Sequence, residues 1–307
     1  MPSPAEKRSY VARYYQLMLD GSEPAGIVKS VEYGGTKGEL LAQPVGGMPW
    51  KTKHIHNPTN DPFTIQIGMS MSKDFFAWVA KSWAGQVERK NGSVITYDAD
   101  LKPMFEYVFK NALILETTVP ALDATSNENG YLTVKIQAEE VENHFDPGGS
   151  AIQPVTPSRQ KLWSPSNFRF DIDHLSGYDA RRVNKIDQFV VKQNVKPVST
   201  GPDWMYQIEP TSLEYPNLAV TFSMVSAKPW FDWHKEFVQG GKNMAKNEKT
   251  GAITLYSQDL KTELLSIDLR SLGLVNLAME KSDATNAQVR RVKAEMYCEE
   301  MIFNFKG

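Results

Sequence analysis

Hydrophobic and polar positions alternate along several stretches of this chain. Phe168, Phe170 and Ile172 alternate with Arg169, Asp171 and Asp173, and Leu265, Ile267 and Leu269 alternate with Ser266, Asp268 and Arg270. Phe105, Tyr107 and Phe109 alternate with Glu106 and Lys110, although Val108 breaks the polar face. A period of two puts successive side chains on opposite faces, so each stretch predicts a half-buried strand. Two stretches change to a helical period. Ser72 or Asp74 caps a helix predicted to run to about Glu88, with Phe76, Val79, Ala80, Trp83 and Val87 on one stripe and Lys73, Lys81, Glu88 and Arg89 off it. Pro229 suits a first helical turn, and Trp230, Trp233 and Phe237 form the second stripe. One helix per half within β-rich sequence predicts a mainly β fold of two tandem sandwich or barrel domains, each with one flanking α-helix.

The order of these elements occurs twice. Phe75-Phe76-Ala77-Trp78, Gly92 to Tyr97, Asp100-Leu101 and Glu139-Glu140-Val141 return as Trp230-Phe231-Asp232-Trp233, Gly251 to Tyr256, Asp259-Leu260 and Glu299-Glu300-Met301. An ordered duplication repeats surfaces, and repeated surfaces build assemblies. The strand after each Asp-Leu pair slips by one residue between the halves, which a bulge or a one-residue change of turn accounts for. Residues 146–163 hold a Pro- and Gly-rich run and read as a linker between a first domain, 1–145, and a second, 164–307.

Each half also carries a long segment expected to be irregular, from Gly34 to about Pro62 and from about Lys196 to Tyr215. Long loops in compact domains are usually functional. Met48, Trp50, His54 and His56 in the first, and Trp204 and Met205 in the second, are therefore candidate assembly contacts. Trp78, Trp83, Trp230 and Trp233 fall on helical stripes and are expected in the core. Trp50, Trp163 and Trp204 fall in loops or linker and are expected to anchor interfaces, where exposed aromatics dominate binding.

Charge and chemistry narrow the picture. The formal net charge of −2 argues against non-specific nucleic-acid binding, which needs a basic surface. The single cysteine, Cys298, excludes an intrachain disulfide and is expected as a small buried residue. The first residues are charged without an apolar core behind them, so synthesis without a signal peptide is expected, and no apolar run approaches a bilayer span. No nucleophile motif, phosphate loop or dinucleotide fingerprint is present, and His54 and His56 have no further ligand nearby for a metal. Neither catalysis nor a cofactor is expected. Glu139-Glu140 and Glu299-Glu300 are read as solvated strand-edge charge, because neighbours on a strand face opposite ways. A double β-sandwich that binds carbohydrate or another ligand is the alternative reading.

Several ordered segments carry a resemblance. Asn167-Phe168-Arg169-Phe170-Asp171-Ile172, Arg182 to Asp187, Leu213 to Leu218, Trp230-Phe231-Asp232-Trp233, Gly251 to Tyr256 and Val292 to Met301 resemble, in that order, the tail tube proteins of contractile phage tails and phage-like injection systems. The first half resembles the same family from Phe63 to Val141. The resemblance implies a ring-forming β-sandwich or barrel whose rings stack into a hollow tube, with sheath, baseplate or cap proteins as partners and a cargo in the lumen. It implies sheets continued between neighbours, early-strand loops that reach the next ring, and incorporation into a phage tail or injection particle. It implies no membrane insertion and no sequence-specific nucleic-acid binding. Two such domains in one chain depart from the usual tube protein. Three copies then close a pseudo-sixfold ring, or six copies close a hexamer in which one domain makes the tube and the other decorates it or forms a second layer.

Overall fold

The computed structural model describes residues 14–21, 24–47, 49–148, 163–199, 204–280 and 290–307. The first half holds β1 (Tyr14–Leu19), β2 (Pro24–Glu32), β3 (Thr36–Pro44), β4 (Lys51–Asn60), β5 (Phe63–Ile67), α1 (Lys73–Trp83), β6 (Lys90–Tyr97), β7 (Pro103–Val119), β8 (Leu122–Asp123), β9 (Leu132–Gln137) and β10 (Glu140–Phe145). The second half holds β11 (Trp163–Ile172), β12 (Val183–Ile186), β13 (Phe189–Val198), β14 (Gln207–Glu214), β15 (Leu218–Ser223), α2 (Lys228–His234), β16 (Lys249–Ser257), β17 (Glu263–Met279) and β18 (Arg291–Phe305).

Both halves are barrel-like antiparallel sheets with one α-helix each among the described residues, as the alternation and the two helical stripes predict. In the first, β1 pairs β2 and β6, β6 pairs β7, β7 pairs β9, β9 pairs β5, and β5 returns to β2, which closes the circuit. In the second, the order β11-β16-β17-β18-β15-β12 repeats that path, and β8 of the first half takes the position beside β12. The repeat holds at the level of register. Val31 opposite Ile65 returns as Ile186 opposite Val220, Phe63 opposite Ile136 as Leu218 opposite Met296, and Glu140 opposite Lys110 as Glu300 opposite Arg270. The last pair is an ion pair in both halves, Lys110–Glu140 at 3.4 Å and Arg270–Glu300 at 3.0 Å.

The one-residue slip lies in a turn. The Asp98 N–H donates to the Lys102 carbonyl in the first half, whereas the Ser257 N–H donates to the Thr262 carbonyl in the second, a loop one residue longer. The long strands that follow keep their inward faces, Tyr107 and Phe109 in β7 and Leu265, Ile267 and Leu269 in β17.

Helix α1 begins at Ser72, whose Oγ accepts from the Phe75 N–H at 3.2 Å. It stops at Trp83, short of Glu88. Gly85 adopts φ +69°, the Gln86 N–H reaches the Lys81 carbonyl and the Gly85 N–H the Ser82 carbonyl, the αL capping arrangement that ends helices. Val87 is therefore exposed rather than part of the stripe. In α2 and the π-helical turn after it, Trp230, Trp233 and Phe237 are buried, as their spacing predicts. Cys298 is buried too, its thiol directed at the Arg270 and Glu300 carbonyls.

Two expectations are corrected here. The segments expected to be irregular are hairpins: β3 pairs β4 along its whole length and β13 pairs β14. β3–β4 is almost wholly exposed, and of the second segment, from Lys196 on, only Ile208 is buried among the described residues, so within these segments no buried alternating face exists for periodicity to detect. Trp163, expected to anchor an interface from the linker, opens β11 and is buried. Its ring lies against Gly130, where an added Cβ would sit 2.3 Å from the indole, and the Gly130 N–H donates to its carbonyl.

Candidate assembly interface

The hydrogen-bonded sheets cross between the halves. Beyond Ala112, the last β7 position opposite β6, one edge of β7 is free of β6, and β13 fills part of it. Phe189, Val190, Val191 and Lys192 pair antiparallel with Val119, Thr118, Thr117 and Glu116. β14 follows on the outside, so the sheet runs from the first barrel directly into the hairpin of the second half. Phe189 and Val191 are buried in this joint. A strand added to a sheet edge satisfies backbone donors and acceptors that would otherwise face water.

An ion-pair cluster locks the hairpin. Arg89 contacts Glu139 at 3.0 Å and Glu209 at 3.1 Å, and donates to the Ile208 carbonyl at 2.7 Å. The Ile208 N–H donates to Glu139 at 2.9 Å. The Glu139 side chain is only 10% exposed. The reading of Glu139 as solvated charge is thus corrected, while Glu140, on the other face, does sit at the surface opposite Lys110. Arg89 and Glu139 are the residues that sequence reasoning missed. They lie fifty positions apart, and only closure of the barrel brings both to the hairpin.

A third contact is aromatic. Phe76 of α1 stacks on Phe305 of β18 with centroids 3.8 Å apart and planes at 18°, and Trp83 meets Phe303 edge-on at 5.2 Å. The Tyr215 hydroxyl donates to the Trp83 carbonyl at 2.6 Å, tying the end of the second hairpin to the end of α1.

The candidate contact residues fall as follows. Trp50 lies near the tip of the β3–β4 hairpin and is 62% exposed. His54 and His56 lie on β4, opposite Leu41 and Glu39, and are exposed. Leu40, Leu41 and Ile55 are exposed on the same hairpin, which pairs with no other strand among the described residues. Trp204, 60% exposed, and Met205, half-buried, precede β14. Met48 lies outside the described residues. The geometry thus joins Trp50, His54 and His56 on one free hairpin and places Trp204 and Met205 on the docked one. Among the described residues, no three His, Cys, Asp or Glu side chains come together to hold a metal ion, and no helix is long and apolar enough to cross a membrane.

The joint between the two like barrels is thus a strand-continuing one. Residues 39–142 match the family of the T4-like virus tail tube protein gp19, so the resemblance to phage tail tube proteins holds over about a third of the chain. Among solved structures, a chain of the sheath/tube terminator of an extracellular contractile injection system is similar at 20% identity, with a TM-score of 0.40, over 46% of this chain and 99% of that one. A chain of the anti-feeding prophage baseplate is similar at 13% identity, TM-score 0.36, over 45% of this chain and 91% of that one. A chain of the cap that terminates the anti-feeding prophage tube is similar at 13% identity, TM-score 0.36, over 52% and 97%. No curated protein matches the chain.

Proposed function

We propose that this chain is a non-catalytic structural subunit of the inner tube, or of its terminal or baseplate-proximal ring, in a contractile phage tail or phage-like injection system. Its domains, 1–145 and 164–307 joined by 146–163, act as two tube-type units. Copies associate into rings that stack into a conduit for cargo, in contact with sheath and baseplate or cap proteins. The observation that carries this reading is the β13–β7 joint, in which one barrel continues the sheet of another of the same topology. A fold that joins like units edge to edge inside one chain has the surface needed to join them between chains. The family match over residues 39–142 supports the same reading.

Electron microscopy of the purified full chain, with mass measured on the same sample, tests it. Rings or hollow tubes are expected, and the number of chains per ring distinguishes a pseudo-hexameric trimer from a hexamer. A monomer that persists at high concentration overturns the reading.

A further inference from the structure

The two hairpins are built alike but occupied differently. Lys37 opposite Thr59 corresponds to Lys192 opposite Glu214, and Leu41 opposite His54 corresponds to Lys196 opposite Glu209. Even the register shift recurs, after Gly38 in one and after Gln193 in the other. Yet β13–β14 pairs with β7, whereas β3–β4 pairs with no other strand among the described residues and is tied to its own barrel at its base, where the Asn60 side-chain amide donates to the Glu139 carbonyl and the Asn60 carbonyl accepts from Gln137. The acceptor shows the converse asymmetry. β16 accompanies β17 only as far as Leu272, and among the described residues the stretch Asn276–Met279 pairs with β18 alone. That stretch is the counterpart of Glu116–Val119, the very edge that β13 covers in the first half.

We propose that the β3–β4 hairpin of one copy adds to the free β17 edge of a second copy, in the register set by the internal joint. The proposal rests on the reading above that copies of this chain assemble laterally. In that register, Gly34, Gly35, Thr36 and Lys37 meet Met279, Ala278, Leu277 and Asn276 of the neighbouring copy, as Phe189, Val190, Val191 and Lys192 meet Val119, Thr118, Thr117 and Glu116 within the chain.

The other two internal contacts have counterparts facing in the same sense that are not covered by the other half of the chain, although Phe145 touches Phe105 and Glu248 accepts from the Tyr297 hydroxyl. Phe76, stacked on Phe305, corresponds to Phe231 of α2, which is 36% exposed. Phe305, opposite Leu265, corresponds to Phe145, opposite Phe105, which is 75% exposed. Phe231 of one copy therefore stacks on Phe145 of the next. In the ion-pair cluster, Lys90 opposite Ala112 corresponds to Lys249 opposite Leu272, so Glu248 stands where Arg89 stands, and His54 stands where Glu209 stands. The Arg89–Glu209 pair returns between copies with donor and acceptor exchanged, the His54 ring facing the Glu248 carboxylate, with Lys53 beside it where Ile208 lies. Exposed Glu299, the counterpart of Glu139, adds acidic charge on the acceptor side. Strand edge, aromatic pair and charge all run from the second half of one copy to the first half of the next. The contact is head-to-tail and uses every second junction, the alternate junctions being already closed within each chain.

Cysteine pairing reads the register directly. Residues opposite each other across an antiparallel pair lie at about 4.5–5.5 Å between Cα atoms, within disulfide reach. The full chain carrying Thr36→Cys and Leu277→Cys is expected to form disulfide-linked multimers under mild oxidation. The pair Thr36→Cys and Asn276→Cys, one residue out of register and facing the opposite side, is not. His54→Glu is expected to raise the concentration needed for assembly about tenfold, and adding Glu248→Lys to restore it. Rings that form without the Thr36–Leu277 link, or that link equally through Asn276, overturn the register while leaving lateral assembly standing. Absence of any multimer overturns both.

Discussion

The docked and the free hairpin carry the same strand register and the same bulge, and differ in what covers them. β13 brings Phe189 and Val191 to its partner edge, where the free hairpin brings Gly34 and Thr36. The helix–strand contact differs in the same direction. The internal joint has Phe303 beside Phe305, and the free counterpart has Asn143 beside Phe145. Apolar area removed from water stabilises a contact by roughly 25 cal/mol per Å², so the internal joint is the stronger of the two. The internal joint is apolar enough to belong to the fold, and its proposed counterpart is polar enough for an isolated chain to expose.

Truncating the aromatic of each joint breaks this comparison most sharply. Phe76→Ala removes a buried ring from the internal joint and is expected to cost about 3–5 kcal/mol of folding stability by urea titration. Phe231→Ala, at the equivalent exposed position, is expected to change stability by less than about 1 kcal/mol and to weaken assembly instead. Equal losses from both would show that the joints do not differ.

The carboxylates give a smaller contrast. Glu139→Ala leaves the Ile208 N–H without its acceptor and removes one of the partners of Arg89, and is expected to cost about 2 kcal/mol, less than a fully buried pair because Arg89 keeps Glu209, the Ile208 carbonyl and part of its hydration. Glu299→Ala, at the solvent-exposed counterpart, is expected to stay within about 0.5 kcal/mol. Denaturant midpoints of the two variants at one protein concentration check this.

The smallest effect is a pH dependence at Cys298. Burial pushes its thiol up to about 11. The unfolded thiol ionises first, near its ordinary value, so the contribution of the buried neutral form is complete below about pH 8.5 and is lost as pH rises toward 11. Alkylation of the native protein at pH 8 is expected to be slow and to become fast in denaturant. Rapid native labelling would place the thiol outside the core.

Much of this molecule was legible from local pattern. Phe76, Trp78 and Trp83 on a helical period, and Phe105, Tyr107 and Phe109 on a strand period, face the core because a buried face must recur at the period of its element. The turn between Ser257 and Thr262 is one residue longer than its counterpart, and this was visible as a slip between the copies. The hairpins were not legible, because strands with little buried surface have no apolar alternation to display. The end of α1 was missed because Val87 continues the apolar spacing, while Gly85, in αL, turns the backbone away. Trp163 was misplaced because composition marks a Pro- and Gly-rich run, not the point where the next strand begins. The role of Glu139 was hidden because the charge pairs across the fold with Arg89 and Ile208.

The sequence by itself determined the β class, the two helices, the duplication and the tube-like resemblance, since each is written in residue types at fixed spacing. Only the tertiary structure decided which copy of each repeated surface is satisfied within the chain. That choice depends on strand edges and ring contacts between residues far apart in sequence, which no local period encodes.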